Sequence, residues 1–130
     1  MMHRSDHMQR YERPVKKPAL AFATAALLMS CIVGTDAQAR PSWCGEQASL
    51  NAAEDTICST RSLWGLDDQL NNSYQSALDV VSARDRSRLQ SSQRDWLRAR
   101  NGCGASVGCL RTVYGDRIRS LDAIVNRGGM

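Results

Sequence analysis

The chain has 130 residues and a formal net charge of +4, which leaves room for one domain. Its histidines and lysines all fall within the first 17 positions (His3, His7, Lys16 and Lys17). Residues 40–130 therefore cannot form a Ser-His or Cys-His nucleophilic pair, a Schiff base or a histidine metal site, which excludes most classes of enzyme. The same residues contain twelve arginines and ten acidic residues, and this small positive balance does not indicate nucleic-acid binding. No cofactor is predicted.

An N-terminal export signal is predicted over residues 1–39. Residues 1–18 are polar and basic, residues 19–33 are apolar and uncharged, and Ala-Gln-Ala at 37–39 offers a cleavage site. The apolar run is shorter than the roughly 20 residues that a membrane span needs. An alternative is Leu-Met-Ser-Cys at 28–31, which resembles a lipobox and would leave Cys31 acylated. In both cases the protein is predicted to be exported, as a periplasmic or secreted protein or as a lipoprotein anchored through Cys31.

Four cysteines remain after the predicted cleavage site: Cys44, Cys58, Cys103 and Cys109. An even number of cysteines in a small exported domain predicts disulfides, here two of them. Three connectivities are possible, and the local pairs Cys44–Cys58 and Cys103–Cys109 are favoured because each closes a short loop rich in helix-end and turn residues. Loops of this kind contribute roughly 2–3 kcal/mol each. The alternative is a zinc site, but the spacings lack the usual C-x2-C pairs.

The hydrophobic pattern predicts an all-α domain over residues 40–130. Ser49 can cap a short helix over residues 49–58, and apolar residues then recur at a spacing of three or four over residues 62–81. Two further helices are predicted over residues 84–101 and 106–125, and no segment alternates as a strand would. We therefore expect a bundle of three main helices and a short N-terminal one. The first two main helices should pack antiparallel, and the last should turn back at the Cys103–Cys109 corner.

Six polar or amphipathic residues are predicted to face the interior of this bundle: Asp67, Tyr74, Gln93, Trp96, Arg100 and Tyr114. Asp67 and Arg100 fall within otherwise apolar stripes, where a charge needs a partner. A buried Asp67–Arg100 bridge is therefore predicted, with Gln93 and the tyrosine hydroxyls completing its hydrogen bonds. The alternative is a pocket that is lined by aromatic side chains and holds one charge pair.

The remaining charges are predicted to be exposed. The far side of the helix over residues 84–101, opposite Arg100, is a solvated face that carries Arg84, Arg88, Arg94, Arg98 and Asp95. The adjacent carboxylates Glu54-Asp55 and Asp67-Asp68 point about 100° apart on a helix, so neither pair can flank one glycosidic bond as a glycosidase requires. Apart from Asp67, we expect them to be surface acids.

A spaced set of residues resembles the LprI-type lysozyme-inhibitor domain of bacterial envelope proteins. The set reads Cys44, Glu54-x-x-Ile57-Cys58, Leu66-Asp67-x-x-Leu70, Tyr74-x-x-Ala77-Leu78, Gln93-x-x-Trp96-Leu97-x-x-Arg100, Cys103, Cys109-Leu110, Tyr114-x-x-Arg117-Ile118 and Leu121. The resemblance implies a small secreted or lipid-anchored helical domain. The sequence departs from the family pattern at Trp64 and Gly65, where the family usually has a plainer helix start.

The resemblance implies a binding protein that inhibits lysozyme by protein–protein interaction, without catalysis. Animal lysozymes are strongly basic, and the slightly positive charge of residues 40–130 does not favour long-range attraction to them. An alternative is a structural or interaction module of the periplasm that does not inhibit lysozyme. The resemblance assigns no residue to partner binding. A protein is the expected partner, and contact with a membrane is expected only if Cys31 is lipidated.

Overall fold

A computed structural model describes residues 38–46 and 49–128 of the chain. A 3₁₀ turn at Ser42–Gly45 is followed by α1 (Ala52–Ser59), α2 (Arg61–Val80), α3 (Ala83–Gly102) and α4 (Val107–Asn126). This architecture confirms the predicted all-α class, with a short helix before three long ones and two disulfides. Cys31 and almost all of the predicted signal peptide lie outside the described residues. Within the described ranges, no helix is both long enough and apolar enough to span a membrane.

Polar side chains set where the helices begin. The Oδ1 atom of Asn51 accepts from the backbone N–H of Glu54 at 3.0 Å, while Glu54 Oε2 accepts from the Asn51 N–H at 3.0 Å. This reciprocal capping box starts α1 at Ala52, so the prediction of Ser49 as the cap was wrong by two residues. Ser82 accepts from the N–H of Asp85 at 3.2 Å, so its cap separates α2 from α3 without glycine or proline.

The most extensive helix pairing is between α2 and α4. Three side-chain hydrogen bonds join them, between Ser62 and Arg111, Asp67 and Tyr114, and Ser73 and Asp122. From one bond to the next, the residue number increases on both helices. The two helices therefore run parallel. By contrast, α3 runs antiparallel to α4, because Trp96 bonds to Val113 and Arg117 bonds to Gln93.

The sequence predicted that α2 packs mainly against α3, and this was wrong because its main partner is α4. The predicted antiparallel direction of α2 and α3 was right. The buried side of α3 is partly polar, since it includes Asp85, Gln93 and Arg100. The buried side of α4 is formed by Leu110, Tyr114, Ile118, Leu121 and Ile124. Burial of apolar surface lowers the free energy of the fold. The apolar stripe of α2 therefore packs more favourably against the apolar side of α4 than against the partly polar side of α3.

Both disulfides join elements that are close in sequence. Cys44 in the 3₁₀ turn pairs with Cys58 at the end of α1, 14 positions away, and both are buried. Cys103 pairs with Cys109 across a separation of 6 at the corner between α3 and α4. Gly104 in this corner has a φ of 54°, a left-handed conformation that glycine adopts without steric cost.

The segment before the 3₁₀ turn crosses the start of α2. Arg40 Nε donates to the Cys58 carbonyl at 3.0 Å, and Trp64 Nε1 donates to the Ile57 carbonyl at 3.0 Å. The side chain of Gln38 lies so close to Gly65 that a Cβ atom at position 65 would collide with it. The Trp64-Gly65 departure from the family pattern therefore lies where this entry segment passes over the helix.

Candidate functional site

Arg100 is the centre of the polar interior. Its side chain is 0% exposed, and its guanidinium carbon lies 5.6 Å from the ring centroid of Trp43 and 5.7 Å from that of Trp96. Nη2 contacts Glu54 Oε1 at 3.4 Å, and Nη2 and Nε both donate to Asn101 Oδ1, at 2.8 and 3.1 Å. A planar guanidinium can stack on aromatic rings while its N–H groups donate to oxygen acceptors in the plane. A lysine ammonium is not planar and cannot stack in this way.

The structure pairs Arg100 with the carboxylate of Glu54, whereas the sequence predicted a pair with Asp67, whose two oxygens accept from Trp43 and Tyr114. Glu54 is 4% exposed, so its assignment to the surface was also wrong. One of its oxygens belongs to the capping box of α1 and the other forms the salt bridge. The sequence held a signal for this position, since Glu54 precedes Ile57 by three residues and Cys58 by four, which places all three on one helix face.

Asp67 joins three elements through neutral donors. Its Oδ2 atom accepts from Trp43 Nε1 at 3.0 Å, and its Oδ1 atom accepts from the Tyr114 hydroxyl at 2.7 Å. Asp67 and Trp43 are each 5% exposed. The sequence pattern assigns Trp43 to no helix or strand, but a tryptophan next to a disulfide cysteine is itself a signal of a core residue. Each carboxylate oxygen of Asp67 is thus solvated by the protein, as burial of a charge requires.

Gln93 and Trp96 tie α3 to α4. Gln93 Oε1 accepts from Arg117 Nε at 2.9 Å, and Arg117 Nη2 donates to Ser92 Oγ at 2.9 Å. Trp96 Nε1 donates to the Val113 carbonyl at 3.0 Å. Burial lowers the pKa of the Arg117 guanidinium, and electrostatic interactions with Tyr74 and Asp95 oppose that shift.

The structure brings most of the predicted interior residues together. The indole of Trp96 meets the ring of Tyr114 edge-on, with centroids 5.2 Å apart and planes at 74°. Tyr74 is buried in α2 at 1% exposure, and none of the six predicted residues is more than 7% exposed. A ligand in solvent therefore has no direct access to these side chains. The geometry favours the interpretation that the network stabilises the bundle over the interpretation that it lines a pocket.

The acidic residues offer no arrangement for metal or acid–base chemistry in the described part of the chain. No group of three or more His, Cys, Asp or Glu residues there could hold a metal ion. Asp67 is buried whereas Asp68 is exposed, so this adjacent pair does not face one cleft. Partial burial, and secondarily the charge of Asp67, raise the pKa of Asp68 above its ordinary value.

The described surface is polar and unevenly charged. Val80, at 37%, is the one large apolar side chain exposed within residues 38–46 and 49–128. Among the exposed charged residues, α1 and α2 together carry three aspartates and one arginine, whereas α3 carries five arginines and one aspartate. A partner that binds the described surface therefore does so largely through polar contacts, and α3 would attract a partner of opposite charge to one that α1 and α2 attract.

These features define a class of protein, a small helical domain that is held by two disulfides and has a buried polar interior. The chain belongs to the LprI lysozyme inhibitor family, because the family model described as "Lysozyme inhibitor LprI" matches residues 44–121. The match begins at the first disulfide cysteine and ends in the last helix, at Leu121. No curated protein and no solved structure is significantly similar to the chain.

Proposed function

We propose that this protein is exported to the periplasm or cell exterior, where it inhibits lysozyme by binding it. Membership of the inhibitor family is the observation that carries this proposal. The two disulfides support it, because such bonds persist in oxidising compartments outside the cytoplasm. Inhibition by binding needs no catalytic residue, which is consistent with the lack of histidine and lysine in residues 40–130.

The charge distribution favours an approach of a basic lysozyme from the side of α1 and α2. Asp55 and Asp68 are exposed on these helices, while the outer face of α3 is basic and would repel such an enzyme. Complementary charge speeds association more than it strengthens the final complex. The rate of association therefore depends more on the charge of the side that the enzyme approaches than on the overall charge of residues 40–130.

The direct test is a titration of the purified, oxidised protein against c-type and g-type lysozymes and bacterial lytic enzymes, with lysis of a cell-wall suspension as the readout. We expect lysis by at least one of these enzyme classes to fall at micromolar protein. The proposal would be rejected if none of the enzymes were inhibited at that concentration. Hydrolysis of peptidoglycan by the protein alone would contradict the non-enzymatic mechanism.

A matched pair of variants tests the direction of approach. Asp55→Asn with Asp68→Asn removes two exposed acids from α1 and α2, and Asp95→Asn with Asp116→Asn removes two exposed acids from α3 and α4. For a basic lysozyme, the first variant should slow association about threefold or more at low salt, and the second should not slow it. Equal effects would show that only the net charge matters.

The alternative function is that of a structural or interaction module of the periplasm that does not inhibit lysozyme. The observation in its favour is the positive balance of residues 40–130, which carry twelve arginines and ten acidic residues. If the titration shows no inhibition while the protein remains folded and oxidised, this alternative replaces the proposal.

A further inference from the structure

The outer face of α3 carries a row of four arginines that the fold leaves exposed. Arg84, Arg88, Arg94 and Arg98 are all exposed, and at 100° per residue they fall within a sector of about 120°. The row spans fourteen residue steps, or about 21 Å along the helix. We call this row the arginine stripe. Ser87, Ser91 and Asp95 lie between its members, so the stripe has no bulky apolar interruption and includes one carboxylate.

The two aspartates of α3 do not neutralise the stripe. Asp85 contacts Arg88 at 3.4 Å and Asp95 contacts Arg98, but the two arginine side chains remain 77% and 63% exposed. Exposed pairs of this kind are weak, and they leave guanidinium donors facing solvent. The other two arginines of α3 serve the fold, because Arg86 donates to the Leu78 carbonyl at 2.9 Å and Arg100 is buried.

The chemistry of the stripe fits phosphate groups arranged on a flat surface. Guanidinium groups bind phosphate with two parallel hydrogen bonds, and rows of basic residues bind anionic lipid surfaces by charge alone. The stripe follows one face of a single helix. Because Val80 on α2 is the one large apolar side chain exposed in the described part of the chain, contact would be electrostatic, without insertion into the bilayer.

The path of the chain favours a membrane over a soluble polyanion. Trp43 packs on the buried side chain of Arg100, so the N-terminal segment enters the domain near the C-terminal end of α3. Cys31 precedes Arg40 by nine residues, which reach about 30 Å at most. A lipid on Cys31 would therefore hold the stripe within reach of the headgroups. Without the lipid, the stripe would supply a reversible contact of its own.

We propose that the arginine stripe docks this protein on membranes that contain anionic phospholipid. The docking is independent of lysozyme inhibition, and it uses the side of the domain opposite in charge to α1 and α2. This docking would place the outer face of α3 on the membrane.

The test uses the exported protein carrying Cys31→Ser, so that no acyl group contributes, with its N-terminus determined by mass spectrometry. Binding is measured by co-sedimentation with vesicles of phosphatidylcholine, with and without about a third of phosphatidylglycerol, at low salt. The stripe variant carries Arg84→Gln, Arg88→Gln and Arg98→Gln. The control variant carries Arg61→Gln, Arg119→Gln and Arg127→Gln, which remove the same charge from exposed positions outside α3. Circular dichroism verifies that both variants are folded.

We expect binding to vesicles with phosphatidylglycerol and none to phosphatidylcholine alone. At about fivefold per arginine, the stripe variant should lose about 100-fold in affinity, while the control loses less than about fivefold. Binding should also weaken between about 50 and 200 mM salt. Equal losses in the two variants, equal binding to both kinds of vesicle, or binding to inorganic polyphosphate but not to vesicles would each overturn the proposal.

Discussion

Two arginines on α3, only two residues apart, occupy opposite environments. Arg100 is fully buried between Trp43 and Trp96 and meets the carboxylate of Glu54, while Arg98 is 63% exposed and pairs with Asp95 on its own helix. The residue type is the same, and so is the kind of partner. The two arginines differ in energetic role only because of burial. A buried charge depends on its protein partner for stabilisation, whereas an exposed charge is solvated by water.

The comparison shows how one helix can both hold a fold and leave a surface for binding. The inner face of α3 uses Gln93, Trp96 and Arg100 to join α1, α4 and the 3₁₀ turn. The outer face carries charges whose removal should cost the fold little. Function is therefore expected on the outside of the helix, and the residues that identify the family are mostly on the inside.

The largest effect is expected when the inner arginine is removed. Arg100→Met should lower the free energy of unfolding by about 3–5 kcal/mol, because it leaves Glu54 buried without its charge partner. The matched change Arg98→Met should alter stability by less than about 0.5 kcal/mol. Urea unfolding followed by circular dichroism measures both. Similar losses in the two variants would contradict the distinction between the faces.

The two disulfides also differ in burial, and their removal should differ in its cost to stability. Loss of Cys44–Cys58 by Cys→Ser changes at both positions should cost about 3 kcal/mol or more, since it opens the longer loop and places two hydroxyls in the core. Loss of Cys103–Cys109 in the same way should cost about 2 kcal/mol, because its loop is shorter and Cys109 is exposed. Thermal unfolding of the two variants gives the order, and the reverse order would count against the account.

The sequence was sufficient to predict the positions of the helices and most of the buried residues. Apolar residues at a spacing of three or four located α2, α3 and α4 to within one or two residues at each end, and the position of Arg100 on the side of Trp96 was readable from the same period. Of the three possible cysteine connectivities, the local one that short loops favoured is the one in the structure. These properties depend on neighbours in sequence, which is why local patterns reveal them.

Partners that are distant in sequence could not be predicted in the same way. Arg100 has two candidate acids on other helices, and only the three-dimensional placement of α1 selects Glu54 over Asp67. The pairing of α2 with α4 likewise depends on which faces are most apolar in the assembled bundle. Trp43 was missed because it lies in a 3₁₀ turn of four residues, too short for a periodic pattern.

The capping box offers a smaller effect that distinguishes the structure from the sequence prediction. Asn51→Ala should cost about 1 kcal/mol, since it removes the acceptor for the Glu54 N–H and loosens a side chain that also meets Arg100. Ser49→Ala should cost almost nothing, although the sequence alone favoured Ser49 as the cap. Chemical denaturation of both variants decides between them, and a larger loss for Ser49→Ala would restore the earlier assignment.

The smallest expected effect comes from Asp68, the exposed neighbour of buried Asp67. Its pKa is raised in the folded state, so the folded protein binds the proton more tightly than the unfolded chain. The charged form of Asp68 therefore slightly destabilises the fold at neutral pH, and this penalty disappears as the pH falls below the ordinary value of 3.8. Asp68→Asn should raise stability at pH 7 by less than about 0.5 kcal/mol and have no effect at pH 3. A loss of stability at pH 7 would contradict this sign.

The most direct test of the central claim, that Arg100 is held by Glu54, is a pair of double-mutant cycles on the free energy of unfolding. One cycle combines Arg100→Met with Glu54→Gln, and the other combines Arg100→Met with Asp67→Asn. We predict a coupling above about 1.5 kcal/mol in the first cycle and a smaller one in the second. A larger coupling with Asp67 than with Glu54 would contradict the account.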